Sequence, residues 1–209
     1  MDTTPYLRMA IVTAMVLSML IIAGSKARGN EPAAGAGGVE DVVTVEGGSP
    51  EQLETLEFVL GRYRTAGLTV PGMTIRFQSD QRVCGQLGGF IGVIDGRVVI
   101  ETCLDPGNGL GHNLFHEIAH AWEFEELDET ERRRFLALRD LDRWHDPERD
   151  DWPYRGAEQA AEIVAWGLQT EYRPIPTRVG SVGAQDAASL WIAFETLTGH
   201  APLWGVSVG

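Results

Sequence analysis

Polar and apolar positions follow a helical period in the first well-patterned segment of the chain. Ser49 and Pro50 suit the N-cap and the first position of a helix, and Gln52 can complete a capping box. Apolar residues then recur three and four positions apart at Leu53, Leu56, Val59, Leu60 and Tyr63. The pattern predicts a helix from residue 50 to about residue 66, with one apolar face turned towards a core.

Three short runs with the character of strands come next. Residues 73–78 alternate apolar and polar side chains, and residues 90–94 and 98–101 are rich in β-branched and aromatic side chains. The dipeptide Asp95-Gly96 between the last two runs is typical of a two-residue hairpin turn. We therefore expect a small antiparallel sheet that contains this hairpin.

The second half of the chain is mostly helical in pattern. After a turn-rich stretch at residues 105–109, helical spacing predicts helices near residues 110–125, 129–142, 156–172 and 185–198. The order of the elements predicts an α+β fold that is mostly helical, with the small sheet before the longest helices.

The N-terminal part differs from the rest of the chain. Residues 9–24 carry no charge and follow Arg8, and small residues flank Lys26, as in a secretory signal peptide. The apolar run is shorter than the roughly 20 residues of a spanning helix, and an uncleaved signal anchor is the alternative. Residues 28–48 are rich in Gly and Ala and predict a flexible linker. We expect a signal segment at 1–27, a linker at 28–48 and one folded domain at 49–209.

Composition is that of a soluble globular protein and restricts its partners. Of the 209 residues, 44% are hydrophobic and 22% are charged. The chain has 17 basic and 30 acidic side chains, which gives a formal net charge of -13. Most of such a surface would repel a phosphate backbone, so we expect no nucleic-acid partner.

The two cysteines, Cys84 and Cys103, are predicted to form a disulfide. An even number of cysteines in an exported chain is usually paired, and the ends of the strands of the predicted hairpin lie close together. Two buried thiols, or a cysteine ligand to a metal, are the alternatives. The prediction also agrees with an extracytoplasmic location, secreted or tethered to a membrane by an uncleaved N-terminal segment.

The sequence HNLFHEIAHAWE at residues 112–123 contains the motif H-E-x-x-H at His116, Glu117 and His120. Residues four apart share one face of a helix, so the two imidazoles can bind one Zn²⁺ at about 2.0–2.1 Å. Glu117 is offset by one position, so its carboxylate can act as general base on a water without ligating the metal. An exposed helix without any metal is the alternative.

A catalytic zinc site needs a third protein ligand. One extended motif has Gly at the position of Glu123 and a ligand at the position of Glu126, but without that Gly the required sharp turn is not available. A later helix offers Glu158 and Glu162, which lie four apart on one face among small alanines. Either of these two carboxylates could complete the site.

Together the two segments resemble the gluzincin metallopeptidases, in which a second zinc helix carries a ligand Glu. Glu158-Gln-Ala-Ala-Glu162 is most similar to the E-x-x-A-E pattern of the lethal-factor and minimal gluzincin groups. The resemblance covers residues 112–168 and implies a zincin-like fold with one Zn²⁺ on His116, His120 and Glu158. It implies that Glu162 orients the imidazole of His116, with Glu162 as the alternative ligand.

Gluzincins usually also place a Tyr or His where it donates a hydrogen bond to the developing oxyanion. Tyr154, four residues before Glu158, is the candidate for this role. His145 and His200 are rivals for it. His112, one turn ahead of His116, could face the same cleft.

These observations predict an exported zinc metallopeptidase that hydrolyses peptide bonds in a peptide or protein substrate. A zinc-stabilised binding or scaffold protein at the cell surface, without a productive cleft, is one alternative, and an interaction module without a metal is another. Glu117 favours the enzyme, because a purely structural metal site needs no general base. Membrane contact is expected only through the N-terminal segment, if that segment is not cleaved.

Overall fold

A four-stranded mixed sheet and six α-helices make up the described part of the chain. The structure is a computed structural model that describes residues 43–84, 89–145, 154–169 and 186–205. Its strands are β1 (Thr44–Glu46), β2 (Met73–Phe77), β3 (Gly89–Ile94) and β4 (Arg97–Thr102). Its helices are α1 (Pro50–Thr65), α2 (Gln81–Cys84), α3 (Leu110–Glu126), α4 (Glu129–Arg139), α5 (Gly156–Gly167) and α6 (Ala187–Thr198). This content confirms the α+β class.

The sheet has the order β1-β2-β4-β3 and combines parallel with antiparallel pairs. β3 and β4 form the predicted hairpin, and both Asp95 and Gly96 at its turn have positive φ. The expectation of an antiparallel sheet is wrong, however, because β2 is parallel to both β1 and β4. Alternation of side chains predicts a strand but not the direction of its partner, and the connection from β2 to β4 is long enough for a parallel return.

Strand β1 lies within the segment that we expected to be a flexible linker. Thr44 pairs with Thr74 of β2 and Glu46 with Arg76, and the Nε atom of Arg76 donates a hydrogen bond to Oε2 of Glu46 over 2.7 Å. The folded region therefore begins before residue 49, and the predicted linker 28–48 extends too far. Pairing with β2 supplies backbone hydrogen bonds that composition alone does not reveal.

Helix α1 begins as the sequence predicts. Gln52 N donates to Oγ of Ser49 over 3.3 Å, and Ser49 N donates to Oε1 of Gln52 over 2.8 Å, which completes the capping box. The buried side chains of the helix are Leu56, Val59, Leu60 and Tyr63. The Tyr63 hydroxyl donates to the carbonyl oxygen of Phe115 over 2.8 Å, which joins α1 to α3.

Helices α3 and α5 pack closely against each other, and α6 packs against α5. The buried face of α5 is rich in alanine (Ala157, Ala160, Ala161 and Ala165), which permits close approach. A Cβ atom at Gly167 would lie 2.1 Å from Cδ2 of Phe194 on α6, so only glycine permits this contact. The predicted helices agree with the observed ones, except that α4 ends at Arg139 and α5 ends at Gly167, before the predicted ends at residues 142 and 172. Residues 170–172 of one prediction and residue 185 of another lie outside the described residues.

The predicted disulfide is confirmed. Cys84 at the end of α2 is bonded to Cys103 directly after β4, with a Cα–Cα distance of 6.1 Å. The bond joins α2 to the sheet just ahead of α3. All of these elements belong to one compact unit, Val39–Gly209. The predicted signal segment 1–27 lies outside the described residues, and among the helices that are described none has the length and apolar character needed to cross a membrane.

Candidate metal centre

His116, His120 and Glu158 bring three potential metal-binding atoms together. The Nε2 atoms of the two histidines lie 3.1 Å apart, and Oε2 of Glu158 lies 3.2 Å from that of His116 and 3.3 Å from that of His120. Three donors at about 2.0–2.1 Å from a tetrahedral Zn²⁺ lie roughly 3.3 Å from one another. The nearly equilateral triangle therefore fits one small cation.

Local structure explains why these three side chains meet. His116 and His120 are one turn apart on α3, and their ring centroids lie 4.6 Å apart with the ring planes at 89°. Glu158 comes from the first turn of α5, which packs against α3. The three side chains are 10%, 14% and 17% exposed, so the triangle is largely desolvated and still borders solvent.

Glu162 contacts the other nitrogen of His116. Its Oε1 atom lies 3.3 Å from Nδ1 of His116 and 3.3 Å from Nε2 of His112. A carboxylate at Nδ1 favours the tautomer in which Nε2 is free to bind a metal ion. The positions therefore favour Glu158 as the ligand and Glu162 as the residue that orients His116, in preference to the reverse.

Glu123 is a further buried carboxylate at the site, and sequence reasoning missed it. It is 2% exposed, and its Oε2 atom lies 3.5 Å from Nδ1 of His120. Each of the two imidazoles thus has its own carboxylate at Nδ1. The signal that could have identified it is the spacing of three from His120, which places Glu123 on the same face of the helix.

Glu117 lies in the middle of α3 and is 7% exposed. Nδ2 of Asn113 donates to Oε1 of Glu117 over 3.3 Å, and Oδ1 of Asn113 accepts from Oγ1 of Thr102 on β4 over 3.2 Å. Burial raises the pKa of Glu117, and the positive charges of His116 and His120 offset only part of this effect. A carboxylate with a raised pKa beside a metal-binding group is suited to proton transfer.

The side chains of the centre share protons and charges. Burial alone would lower the pKa of His116, but hydrogen bonds to Glu158 and Glu162 outweigh it and raise this pKa to about 9. Burial alone would raise the pKa of both glutamates, but their contacts with histidines lower each to about 2. In the metal-free protein, the positive charge of protonated imidazole thus compensates the negative charge of the ionised carboxylates. A divalent cation would displace such protons, because it binds neutral imidazole.

Three other candidates lie apart from the triangle. Tyr154 is 42% exposed just ahead of α5, and Glu126 is exposed in the last turn of α3. His200 lies beside Gly67, where a Cβ atom would be 3.0 Å from Cε1 of His200. Within the described part of the chain, no hydrogen bond or ring contact joins these three side chains to the triangle. The role of Tyr154 as oxyanion donor stays a prediction.

His145 interacts electrostatically with two residues of the triangle. The carbonyl oxygen of the preceding Trp144 accepts a hydrogen bond from Ala157 N over 3.0 Å, which fixes this segment to the first turn of α5. Partial burial lowers the pKa of His145, and the positive charge of His120 lowers it further, while the Glu158 carboxylate raises it. His145 is exposed, and the charges of His120 and Glu158 both influence its pKa.

Comparison with known proteins gives no relative of this chain. No protein-family model, no curated protein and no solved structure matches it. The case for a metal centre therefore depends on the residues themselves, on the triangle of His116, His120 and Glu158 and on the carboxylates around it.

Proposed function

We propose that this protein is an exported zinc-dependent metallopeptidase of the gluzincin type. The observation that carries the proposal is the triangle of two imidazole nitrogens and one carboxylate oxygen, with sides of 3.1, 3.2 and 3.3 Å, beside the buried carboxylate of Glu117. Two His and one Glu are a donor set that catalytic zinc uses, with a further position for water or substrate.

The residues of the candidate centre would have different roles in hydrolysis. Bound Zn²⁺ would lower the pKa of a water molecule and polarise the carbonyl of the scissile bond. His116, His120 and Glu158 would hold the ion. Glu117 would take a proton from the attacking water and deliver it to the leaving amine, a role that its raised pKa suits.

Surrounding carboxylates would hold the two imidazoles in the tautomer and orientation that zinc binding requires. Glu162 would accept the Nδ1 proton of His116, and Glu123 that of His120, so that both Nε2 atoms present a lone pair to the ion. Asn113 would orient Glu117 through its hydrogen bond. These contacts hold the reacting groups in place before a substrate arrives, which reduces the cost of ordering them during the reaction.

Export is the part of the proposal supported by residues outside the centre. The disulfide Cys84–Cys103 is typical of oxidising compartments. The uncharged run at residues 9–24 suits a signal segment. Both features fit an extracytoplasmic peptidase.

A Glu117→Gln variant tests the proposal, because it removes the base and keeps the proposed ligands. We expect the wild type and the variant to bind about one zinc each, and the variant to hydrolyse a mixture of quenched fluorescent peptides about 10² to 10⁴ times more slowly. Glu126→Gln, an exposed change on the same helix, should leave the rate unchanged. Zinc in both proteins with no hydrolysis by either would instead favour the scaffold alternative.

A further inference from the structure

Arg132 is a cation held beside the candidate metal centre. It lies on α4, and its Nη2 atom donates to the main-chain oxygen of Glu123, the residue whose carboxylate contacts His120, over 3.1 Å. Its Cζ atom lies 5.5 Å from the centre of the Trp144 ring. Its Nε atom is buried and has no hydrogen-bond acceptor among the described residues. The contact with Glu123 therefore leaves part of the donor capacity of this guanidinium unused.

The segment that carries His145 contacts both Arg132 and the start of α5. Arg143 O accepts a hydrogen bond from Gly156 N over 3.0 Å. Glycine at 156 permits this approach, because a Cβ atom there would lie 3.1 Å from Arg143 O and 3.2 Å from Cα of Trp144. His145 follows Trp144 directly, and Trp144 contacts both Arg132, through its ring, and the start of α5, through its main-chain oxygen.

Charge coupling agrees with this arrangement. Besides burial and His120, the positive charges of Arg132 and Arg155 lower the pKa of His145, and the Glu158 carboxylate raises it. The pKa of His145 thus depends on the charges of both basic side chains and of two proposed ligands, His120 and Glu158. In a chain with a formal net charge of -13, a group of basic side chains beside four buried or partly buried glutamates forms a local region of opposite charge.

We infer that Arg132 and His145 form an anion subsite that receives a carboxylate of the substrate next to the scissile bond. The inference rests on the proposed function and names its substrate class, which is peptides with an acidic side chain or a free C-terminus near the cleaved bond. A guanidinium binds a carboxylate through directed, charge-assisted hydrogen bonds. Without such a subsite, the acidic surface and the glutamates of the centre would repel these peptides.

The rival explanation is that Arg132 only caps helix α3. Its bond to the main-chain oxygen of Glu123 lies in the last turn of that helix, where a basic side chain stabilises the exposed carbonyls. A capping residue affects folding, but it does not discriminate between ligands that differ only in charge. Selectivity for a carboxylate is therefore the quantity to measure.

The test uses hydroxamates, which bind zinc directly, so that binding is measured without turnover. One pair is the α-hydroxamates of N-acetylglutamate and N-acetylglutamine, and a second pair of peptide hydroxamates differs only in a free or amidated C-terminal carboxylate. We expect the zinc-loaded protein to bind the acidic member of at least one pair about tenfold more tightly. The pair whose two members bind with different affinity shows whether the carboxylate comes from a side chain or from a free C-terminus. Equal binding of both members in both pairs overturns the inference.

Variants of adjacent arginines assign the effect to one side chain. Arg132→Gln should reduce the preference to less than about twofold, Arg132→Lys should keep part of it, and Arg133→Gln, an exposed neighbour, should keep all of it. An undiminished preference in Arg132→Gln overturns the inference. If that variant does not fold, as judged by circular dichroism and zinc content, a reduced preference in His145→Gln supports the inference, and an unchanged one overturns it.

Failure of this inference and failure of the proposed function give different results. If the wild type hydrolyses peptides but binds the paired hydroxamates equally, the subsite is wrong and the peptidase stands. If the hydroxamates are discriminated but no peptide is hydrolysed, the subsite stands and the peptidase is wrong. If no hydroxamate of either pair binds the zinc-loaded protein and no peptide is hydrolysed, both are wrong.

Discussion

Each histidine of the candidate centre lies between the proposed ion and a buried carboxylate. Nδ1 of His116 is 3.3 Å from Glu162, and Nδ1 of His120 is 3.5 Å from Glu123. An anionic acceptor at Nδ1 increases the basicity of Nε2 and fixes the orientation of the ring. The two carboxylates belong to different helices, so the imidazoles are held from two directions.

Glu162→Gln and Glu123→Gln should therefore each weaken zinc binding by about 10- to 100-fold, because an amide is a poorer acceptor for the Nδ1 proton. Competition with a chromogenic chelator at fixed pH measures the affinity. Glu126→Gln on the exposed end of the same helix is the control and should not change it. Unchanged zinc affinity in both buried variants would show that Glu162 and Glu123 do not orient the imidazoles for zinc binding.

Zinc affinity should also depend on pH. The pKa of His116 is raised to about 9 by Glu158 and Glu162, so its imidazolium must lose a proton before Nε2 binds an ion. We expect affinity to increase as the pH rises towards about 9. In Glu162→Gln the increase should occur at lower pH, since one of the hydrogen bonds that raise this pKa is weakened. Titrations at several pH values check this, and a flat profile in the wild type would contradict it.

The same shifts determine how the metal-free protein responds to pH. His116 has a raised pKa, so its contribution to stability is complete below 6.5 and is lost as the pH rises through about 9. Glu158 and Glu162 have lowered pKa values, so their contribution is complete above 4.5 and is lost as the pH falls towards about 2. The centre therefore stabilises the metal-free fold most between 4.5 and 6.5.

At the level of residues, the sequence predicts the relative positions of side chains that lie on one helix. The spacing of His116, Glu117 and His120 places both imidazoles on one face with the base offset. Spacing cannot separate Glu158 from Glu162, because both lie on one face of α5. Only the packing of α5 on α3 places the first at Nε2 and the second at Nδ1 of His116.

Among the elements, the contact between α5 and its neighbours is the one that positions Glu158. This contact depends on small residues along α5 and on Gly167, which faces the ring of Phe194 on α6. Alanine and glycine let helix axes approach closely, and larger side chains would separate them. The position of the third ligand is thus a consequence of packing that lies outside the motif.

Gly167→Ala should destabilise the fold by about 1–3 kcal/mol, because its Cβ atom would lie 2.1 Å from Cδ2 of Phe194 and the two helices would have to move apart. Urea denaturation measures the change. Gly61→Ala in α1 is the matched control, since a Cβ atom there meets nothing within 4 Å and alanine should stabilise the helix by up to about 1 kcal/mol. Equal stability of the Gly167 variant and the wild type would contradict the packing argument.

Prediction of the sheet succeeded where the pairing is local and failed where it is not. Asp95 and Gly96 specify the hairpin of β3 and β4, because both adopt positive φ at adjacent positions. The parallel partners of β2 are distant in sequence, and nothing in the alternation of its side chains indicates them. The short strand β1 adds only three residues, too few to give a pattern.

Over the whole molecule, the proposed ion would connect two helices that are far apart in the chain. His116 and His120 come from α3 and Glu158 from α5, so the complete donor set exists only in the folded protein. Ligands that bind only the folded state raise its stability. The ion would also offset part of the charge of four glutamates gathered in a partly buried region.

The central claim is that these three side chains bind one divalent ion, and zinc stoichiometry tests it most directly. Wild type, His120→Ala and the exposed-site control Glu126→Gln should be purified, saturated with zinc, freed of excess ion and analysed by atomic emission. We expect close to one zinc per chain in the wild type and the control, and almost none in His120→Ala. Negligible zinc in the wild type, or equal zinc in all three proteins, would contradict it.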